Sequence, residues 1–274
     1  MELFRTQKLN DHLYRIYDIT DVQMYLAIGR HTAALIDTGC GFGDLFEVVR
    51  NLTDKPVIVL LTHGHVDHAM GAAAFDVVYM NRMDIPIFAQ HSQAGMRVDY
   101  VRQAPRFEPA FLKTMVPPIT QDRFLPVGDN TVFDLGGLHV RMLSCPGHTP
   151  GSMCALLEED QVLITGDACN PLTFLFMPDS LSVLEYRESL KSLHSQAEGR
   201  FETVYFSHGF TDGQRSILTD AMSLCDEILK GQCNGAMEFR FMDCLGMIAK
   251  PVDENLARTD GVLMNLVYDP TRLN

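Results

Sequence analysis

Short apolar runs separated by Asp- and Gly-containing turns recur along most of this chain. Runs of four to six β-branched, aromatic or aliphatic residues predict strands, and apolar residues at helical spacing predict helices. The predicted strands cover residues 12–17, 23–28, 32–36, 57–61, 77–80, 131–133, 138–143, 153–157, 162–165 and 203–206, and the predicted helices cover 44–52, 181–196 and 213–230. The order of strands and helices suggests two weakly similar β/α halves. This predicts an α/β fold, in which two mixed sheets pack together with helices on the outer faces.

Two segments depart from this pattern. Residues 81–125 carry five prolines among Met and Phe residues, which predicts short helices and irregular chain in an insertion that lies over the core as a lid. Residues 231–274 contain two β-like pieces, 237–242 and 261–268. We therefore predict a single domain over residues 1–274, with a core at about 12–210, a helical insertion at about 81–125 and a C-terminal extension at about 231–274.

The segment that follows the predicted strand 57–61 concentrates metal-binding side chains. It reads His63-Gly64-His65-Val66-Asp67-His68, with four potential ligands in six residues. Loops at the carboxyl ends of strands are where α/β folds place their ligands. A short helix is predicted to begin directly after it, within residues 69–75. Neutral imidazole and carboxylate suit zinc, and also iron and manganese.

Three later residues share the same placement. His148, Asp167 and His208 each follow an apolar run and stand next to a glycine. Any one of them alone is more typical of a turn or a helix cap. Together with the His63–His68 segment, they make a set of seven side chains that could bind one or two metal ions.

The His-x-His-x-Asp-His segment and the later His, Asp and His resemble the metallo-β-lactamase superfamily, whose members are αββα-sandwich metallohydrolases. The Asp37-Thr38-Gly39 turn resembles an early motif of that family, and the match spans roughly residues 12–210. The resemblance implies that one metal is bound by His63, His65 and His148 and a second by Asp67, His68 and His208, with Asp167 bridging them. It also implies that Asp37 orients a ligand histidine. Two divalent metal ions are expected, with zinc favoured and iron or manganese as alternatives.

The implied activity is hydrolysis of a small ester, thioester or lactone by a hydroxide that the metals hold. Asp67 has a second expected role, which is to orient that hydroxide and take up its proton. The glyoxalase II-like and lactonase-like branches are the nearest in pattern, although Asn170 stands where lactonases often have a tyrosine. Two alternatives stay open: an oxidoreductase that resembles persulfide dioxygenases with one iron, and a phosphodiesterase or nuclease of the same fold.

Apolar residues near the expected metals are candidates for a substrate pocket. They are Phe107, Phe111, Phe174, Phe176 and Met177, although each could equally be core packing. Cys145 and Cys169 lie close in sequence to His148 and Asp167, and we interpret them as buried thiols. Histidines outside the motif, His91 included, are interpreted as structural or surface residues.

The net charge of −13 changes the expected partners. An acidic surface disfavours nucleic acid as a routine substrate, so we expect a small-molecule substrate. The sequence contains no apolar run of the roughly 20 residues that span a bilayer and no signal-peptide core, which predicts a cytoplasmic protein without membrane contact. The seven cysteines include no Cys-x-x-Cys pair, so no disulfide framework is indicated. Residues 237–241 alternate in a way that predicts an edge strand, and a homodimer is a further expectation.

Overall fold

A computed structural model describes residues 3–209, 212–233 and 236–274. Residue 210 of the predicted core and residues 234–235 of the predicted extension lie outside the described residues. Contacts within the chain divide it into two compact units, Met1–Arg141 and Met142–Asn274. That the chain is a single domain stays a prediction.

The first unit is built on a seven-stranded mixed sheet in which the strands follow their order in the sequence. Its strands are β1 (Arg5–Lys8), β2 (Leu13–Tyr17), β3 (Gln23–Ile28), β4 (Ala33–Ile36), β5 (Val57–Leu60), β6 (Val77–Met80) and β7 (Phe124–Pro126). The pairs from β1 to β4 are antiparallel and those from β4 to β7 are parallel. Strand β4 is buried along its whole length, as expected for a central strand between two covered faces.

Helices of the first unit join its parallel strands. Helix α1 (Leu45–Leu52) connects β4 to β5, and α2 (Ile85–His91) and α3 (Ala94–Val101) lie between β6 and β7. The expectation of short helices over 81–125 is met, but its last residues form edge strand β7. Pro126 is tolerated there because an edge strand leaves one side of its backbone unpaired.

The helix expected within residues 69–75 is reduced to a 3-10 helix at Ala72–Ala74. The backbone N–H of Met70 donates to the carbonyl of Gly39, and the carbonyl of His68 accepts from Thr38. The N–H of Ala72 donates to the carbonyl of Ala69, three residues back, which is the bond of a 3-10 turn.

The second unit contains parts of two further mixed sheets. Strand β8 (Thr131–Asp134) lies before the boundary between the two units, and that boundary falls within β9 (His139–Ser144). Beside β9 run β10 (Met153–Leu157), β11 (Val162–Ile164), β13 (Thr203–Tyr205) and β14 (Asp212–Gln214), in that order. Residues 213–214 were predicted to start a helix, but they belong to β14, which pairs with β13. The helix that follows, α5 (Ser216–Leu229), therefore begins later than expected.

A third sheet, which was not predicted, has the order β12-β17-β16-β15. Its strands are β12 (Leu172–Leu175), β15 (Met237–Phe241), β16 (Cys244–Ile248) and β17 (Asn265–Tyr268). Strands β12 and β17 pair in parallel although some 90 residues separate them. The residues next to either strand in the sequence therefore do not indicate the pairing. The C-terminal extension thus completes a sheet that starts in the predicted core.

Helices α4 (Val183–Ala197) and α5 carry the apolar faces that cover the second unit's core. The Ser182 side chain accepts from the backbone of Glu185, whose carboxylate accepts in return from Ser182, a capping box that sets the start of α4. The architecture is α/β with mixed sheets and helices, as predicted. None of the described helices is long and apolar enough to cross a bilayer.

Candidate functional site

The segment His63–His68, here called the ligand loop, follows β5 at the carboxyl end of the first sheet. Beside it, β4 is followed directly by Asp37, whose backbone is left-handed with φ of 64°. Aspartate accepts this conformation more readily than most residues. The turn places its carboxylate toward the start of the ligand loop.

Asp37 ties the loop down with both carboxylate oxygens. Oδ1 accepts from the backbone N–H of Thr62 at 2.7 Å, and Oδ2 accepts from the Thr62 hydroxyl at 2.8 Å. Oδ2 also lies 2.8 Å from Nδ1 of His68. An imidazole that donates through Nδ1 keeps Nε2 for a metal, which is the arrangement expected around metal-bound histidines. Asp37 therefore contacts the ring of His68, and its role in orienting a metal ligand stays a prediction.

The four loop side chains are buried and close together. The rings of His63 and His65 lie 4.8 Å apart and those of His63 and His68 lie 4.0 Å apart. Nε2 of His68 is 3.8 Å from Oδ2 of Asp67. Potential ligand atoms of His63 and His65, of His63 and His68, and of Asp67 and His68 fall within 4.8 Å of one another.

The helical insertion holds the ligand loop from the other side at three points. Asp84 Oδ2 accepts from the backbone N–H of Gly64 at 2.8 Å. Nδ1 of His91 lies 3.2 Å from the backbone N of Val66, and its ring stacks on that of His65 at 4.6 Å. The Tyr100 hydroxyl donates to Oδ2 of Asp67 at 2.6 Å. Burial, reinforced by the Asp67 carboxylate, raises the pKa of Tyr100 well above its usual value, so the phenol remains a donor.

Asp84 and Tyr100 were not singled out from the sequence. Their partners lie 20 and 33 residues away along the chain, and neither residue stands in a recognisable motif. His91, expected to be structural, also has a ligand-type nitrogen within 4.8 Å of one on His65.

The second unit presents its own set of donors at three loops that follow strands. Nδ1 of His148 lies 2.7 Å from the carbonyl oxygen of Phe174, so this histidine also directs Nε2 away from its anchor. The backbone carbonyl of His148 accepts from the Ser180 hydroxyl at 3.0 Å. Gly147 leaves no room for a side chain, because a Cβ there would lie 2.2 Å from the ring of Tyr186.

Asp167 lies between the two histidines of this set. Its Oδ2 is 3.6 Å from Nε2 of His148 and 3.3 Å from Nε2 of His208. Its other oxygen, Oδ1, accepts from the side-chain amide of Asn170 at 3.0 Å. The sequence analysis noted Asn170 only as a departure from lactonases, whereas the structure makes it a partner of the carboxylate.

The donor sets fit a transition metal by chemistry and by spacing. Ligand atoms bound at about 2.0–2.2 Å around a tetrahedral zinc are about 3.3–3.6 Å apart. The distances from Asp167 Oδ2 to the two imidazoles lie at or close to this range. Imidazole nitrogens with their second nitrogen anchored, together with carboxylates, are the donors that zinc, iron and manganese take.

The thiols near the site are buried, as expected. Cys145 and Cys169 have no exposed surface. The pKa of the Cys145 thiol is raised by its hydrogen bond with Cys154 and by burial, and burial also raises that of Cys169. Both are therefore held as neutral thiols, which are poor metal ligands and poor nucleophiles.

The apolar residues proposed for a pocket fall into two clusters. Phe111 is buried against Phe42 and Val101 in the first unit, with Phe107 half-buried beside it. In the second unit, Phe174, Phe176 and Met177 pack with aromatic residues of β15. Phe111 and Phe176 have almost no exposed surface. Contact of any of these residues with substrate stays a prediction.

The fold and the donor sets together define a class: an α/β protein with candidate metal-binding His and Asp side chains at the ends of its strands. The metallo-β-lactamase superfamily model matches residues 18–208, which is more than half of the chain. The chain therefore belongs to the metallo-β-lactamase superfamily, a family of metallohydrolases.

Comparison with known proteins adds distant relatives. The chain is 31% identical over 141 residues to an atrochrysone carboxyl ACP thioesterase of Aspergillus novofumigatus, covering 48% of this chain. It is 26% identical over 157 residues to an acyl-coenzyme A thioesterase of Gallus gallus, covering 53% of this chain. The matches span 34% and 56% of the length of these two relatives. Among solved structures, a metallo-β-lactamase from Pontibacter korlensis shares the fold, with a TM-score of 0.60 and 18% identity over 81% of this chain and 99% of that chain.

Proposed function

We propose that this protein is a metal-dependent hydrolase that cleaves a small ester or thioester, and that the donor sets of its two units bind the same pair of metal ions. The observation that carries the proposal is the placement of Asp167, whose Oδ2 lies 3.3–3.6 Å from two imidazole nitrogens. A carboxylate between two histidines at this spacing suits a bridging ligand. The proposed activity requires no Ser or Cys nucleophile, in agreement with the buried, neutral thiols.

Each unit contributes a distinct part of the proposed centre. In the first, His63 and His65 would bind one metal, and Asp67 and His68 the other, with Asp37 fixing the tautomer of His68. In the second, His148 would complete the first metal and His208 the second. Asp167 would bridge them. The proposed cofactor is a pair of divalent ions, with zinc favoured.

When bound, such ions lower the pKa of water from about 15.7 toward 7 and polarise the carbonyl under attack. Asp67 has a second proposed role as the proton acceptor. Its Oδ2 accepts from the Tyr100 hydroxyl, which would hold the carboxylate in one orientation for this role. Burial of the loop side chains excludes bulk water from these groups and strengthens their interactions.

A thioester is the substrate class we favour within this activity. Two relatives in separate kingdoms are named as thioesterases, one acting on an acyl carrier protein and one on acyl-coenzyme A. The net charge of −13 supports a small-molecule substrate over nucleic acid, as it did from sequence alone.

The test combines metal analysis with a substrate panel. The purified protein should contain about two equivalents of a divalent transition metal and release thiol from acyl-coenzyme A substrates or alcohol from simple esters. Asp167→Ala should lower kcat/KM by more than about 100-fold, the upper range for losing an outer-shell partner, because it removes the bridging ligand itself. The matched control His194→Ala removes a histidine of α4 that lies outside both donor sets and should retain metal and rate.

Other outcomes separate the alternatives. Oxygen uptake with a persulfide and one bound iron would replace the hydrolase with a dioxygenase. Cleavage of phosphodiesters alone would favour the nuclease class. A protein that binds no transition metal, with no activity restored by adding one, would refute the proposal.

A further inference from the structure

Tyr100, in the helical insertion, hydrogen-bonds directly to a proposed metal ligand. It lies on α3, and its hydroxyl donates to Oδ2 of Asp67 at 2.6 Å. This is the same oxygen that lies 3.8 Å from Nε2 of His68, so the phenol contacts the atom that faces the neighbouring ligand. The bond is short, as expected for a hydroxyl donating to a carboxylate.

Helix α3 is itself fixed to the first unit by a buried arginine. Arg97 is 1% exposed and donates to the carbonyls of Val116 at 2.7 Å and Gly41 at 2.8 Å. It stands three residues before Tyr100, so the two side chains lie on the same face of the helix. Because Arg97 anchors this face beside the turn that carries Asp37, the Tyr100 hydroxyl has little freedom to move away from Asp67.

The histidines next to Asp67 in the ligand loop are held by other side chains. His68 is anchored by Asp37, and His65 is stacked by His91. Aspartate has two rotatable side-chain bonds, and the Tyr100 hydroxyl is a donor that selects one rotamer of its carboxylate. A ligand held in one orientation binds metal better than one that must be ordered on binding.

We propose that Tyr100 is a positioning residue that holds the Asp67 carboxylate for metal binding, so that the helical insertion sets the affinity of one metal subsite. The inference rests on the proposed function, because it assumes that Asp67 and His68 share a metal. It predicts a selective effect: the metal held by Asp67 and His68 weakens without Tyr100, while the metal held by His63, His65 and His148 does not.

The test is a cobalt titration of the metal-depleted protein, followed by visible absorption in the presence of a competing chelator. Tyr100→Phe retains the buried ring and removes only the hydroxyl. It should weaken one of the two cobalt sites by about 10- to 100-fold, the usual cost of losing an outer-shell partner, and leave the other unchanged. The control Tyr79→Phe removes a phenol oxygen from the same unit, where the ring packs on Phe133, and should match the unaltered protein.

Activity gives a second readout that a merely structural role would not move. At limiting cobalt, Tyr100→Phe should be less active than the unaltered protein, and excess cobalt should restore kcat to the unaltered value by mass action. A defect that excess cobalt does not restore would overturn the inference, as would two cobalt affinities equal to those of the unaltered protein. In the latter case the proposed function survives, because the unaltered protein still binds two metals and turns over. A wild-type protein that binds no metal would contradict both.

Discussion

The two units present their metal-type donors in opposite ways. In the first, the donors are contiguous in the ligand loop, and their supports come from Asp37, Asp84, His91 and Tyr100, which are 20 to 33 residues away. In the second, the donors His148, Asp167 and His208 are spread over 61 positions of the sequence, at three separate strand ends. One unit relies on side chains from other elements to shape a single loop, whereas the other relies on the sheet to align separate loops.

The two sets of donors should therefore respond differently to the loss of a supporting side chain. The ligand loop has no regular secondary structure, so its shape depends on the side chains that hydrogen-bond to it. The donors of the second unit follow strands β9, β11 and β13, each of which places residues in the core of that unit. Loss of a support should therefore cost more in the first unit than in the second.

Among the residues that support the donors, the largest effect is expected from Asp37→Asn. Asparagine tolerates the left-handed backbone at this position, so the turn should persist while the charge that anchors His68 is lost. Metal affinity should fall by about 10- to 100-fold in a chelator competition. Asp44→Asn is the matched control, because asparagine caps α1 as well as aspartate does, and it should leave affinity unchanged. Equal affinities for the two variants would contradict the role of Asp37.

A second comparison uses the glycines next to the donors. A Cβ at Gly64 would lie 2.7 Å from the backbone oxygen of Asp84, and one at Gly147 would lie 2.2 Å from the Tyr186 ring. Gly64→Ala and Gly147→Ala should each lower the free energy of unfolding by about 1–3 kcal/mol, measured by urea denaturation.

The matched control for both glycines lies inside α3. Gly95→Ala adds a methyl group where nothing stands within 4 Å and should raise stability by about 0.5–1 kcal/mol. If Gly64→Ala did not lower the free energy of unfolding, the backbone of Asp84 could not lie as close to Gly64 as 2.7 Å from the added Cβ.

The smallest effect is expected from Asn170→Ala in the second unit. It removes the amide that donates to Oδ1 of Asp167, but leaves Oδ2 and both imidazoles in place. Metal affinity should fall by about tenfold or less, the lower end of the range for an outer-shell partner. Asn51→Ala, on α1, serves as the control for loss of an asparagine. A loss as large as that of Asp37→Asn would remove the contrast between the units.

Local patterns in the sequence were sufficient to predict much of the fold. Strands β3, β6 and β10 match their predicted bounds, because apolar runs between turn residues identify buried strands without reference to distant contacts. Strand β1 was missed because all four of its residues are exposed, and polar edge strands lack that pattern. The third sheet was missed because the pairing of β12 with β17 joins distant segments.

The candidate site shows the same limit. The ligand loop, the three donors of the second unit and Asp37 all stand in short motifs or at strand ends, so they could be singled out individually. Asp84 and Tyr100 could not, because each acts through one hydrogen bond to a residue far along the chain. The 3-10 helix at Ala72–Ala74 likewise reflects backbone groups already used by the turn after β4.

The parallel pairing of β12 with β17 has a consequence for the order of events during synthesis. Phe174, whose carbonyl anchors His148, lies on β12, and among the described strands only β17 flanks it. At 5–20 residues per second, β17 emerges about 5–20 s after β12. Throughout that interval β12 is without its sheet, and the carbonyl that orients His148 lacks a fixed position. His148 should thus gain its fixed orientation only after β17 has been made.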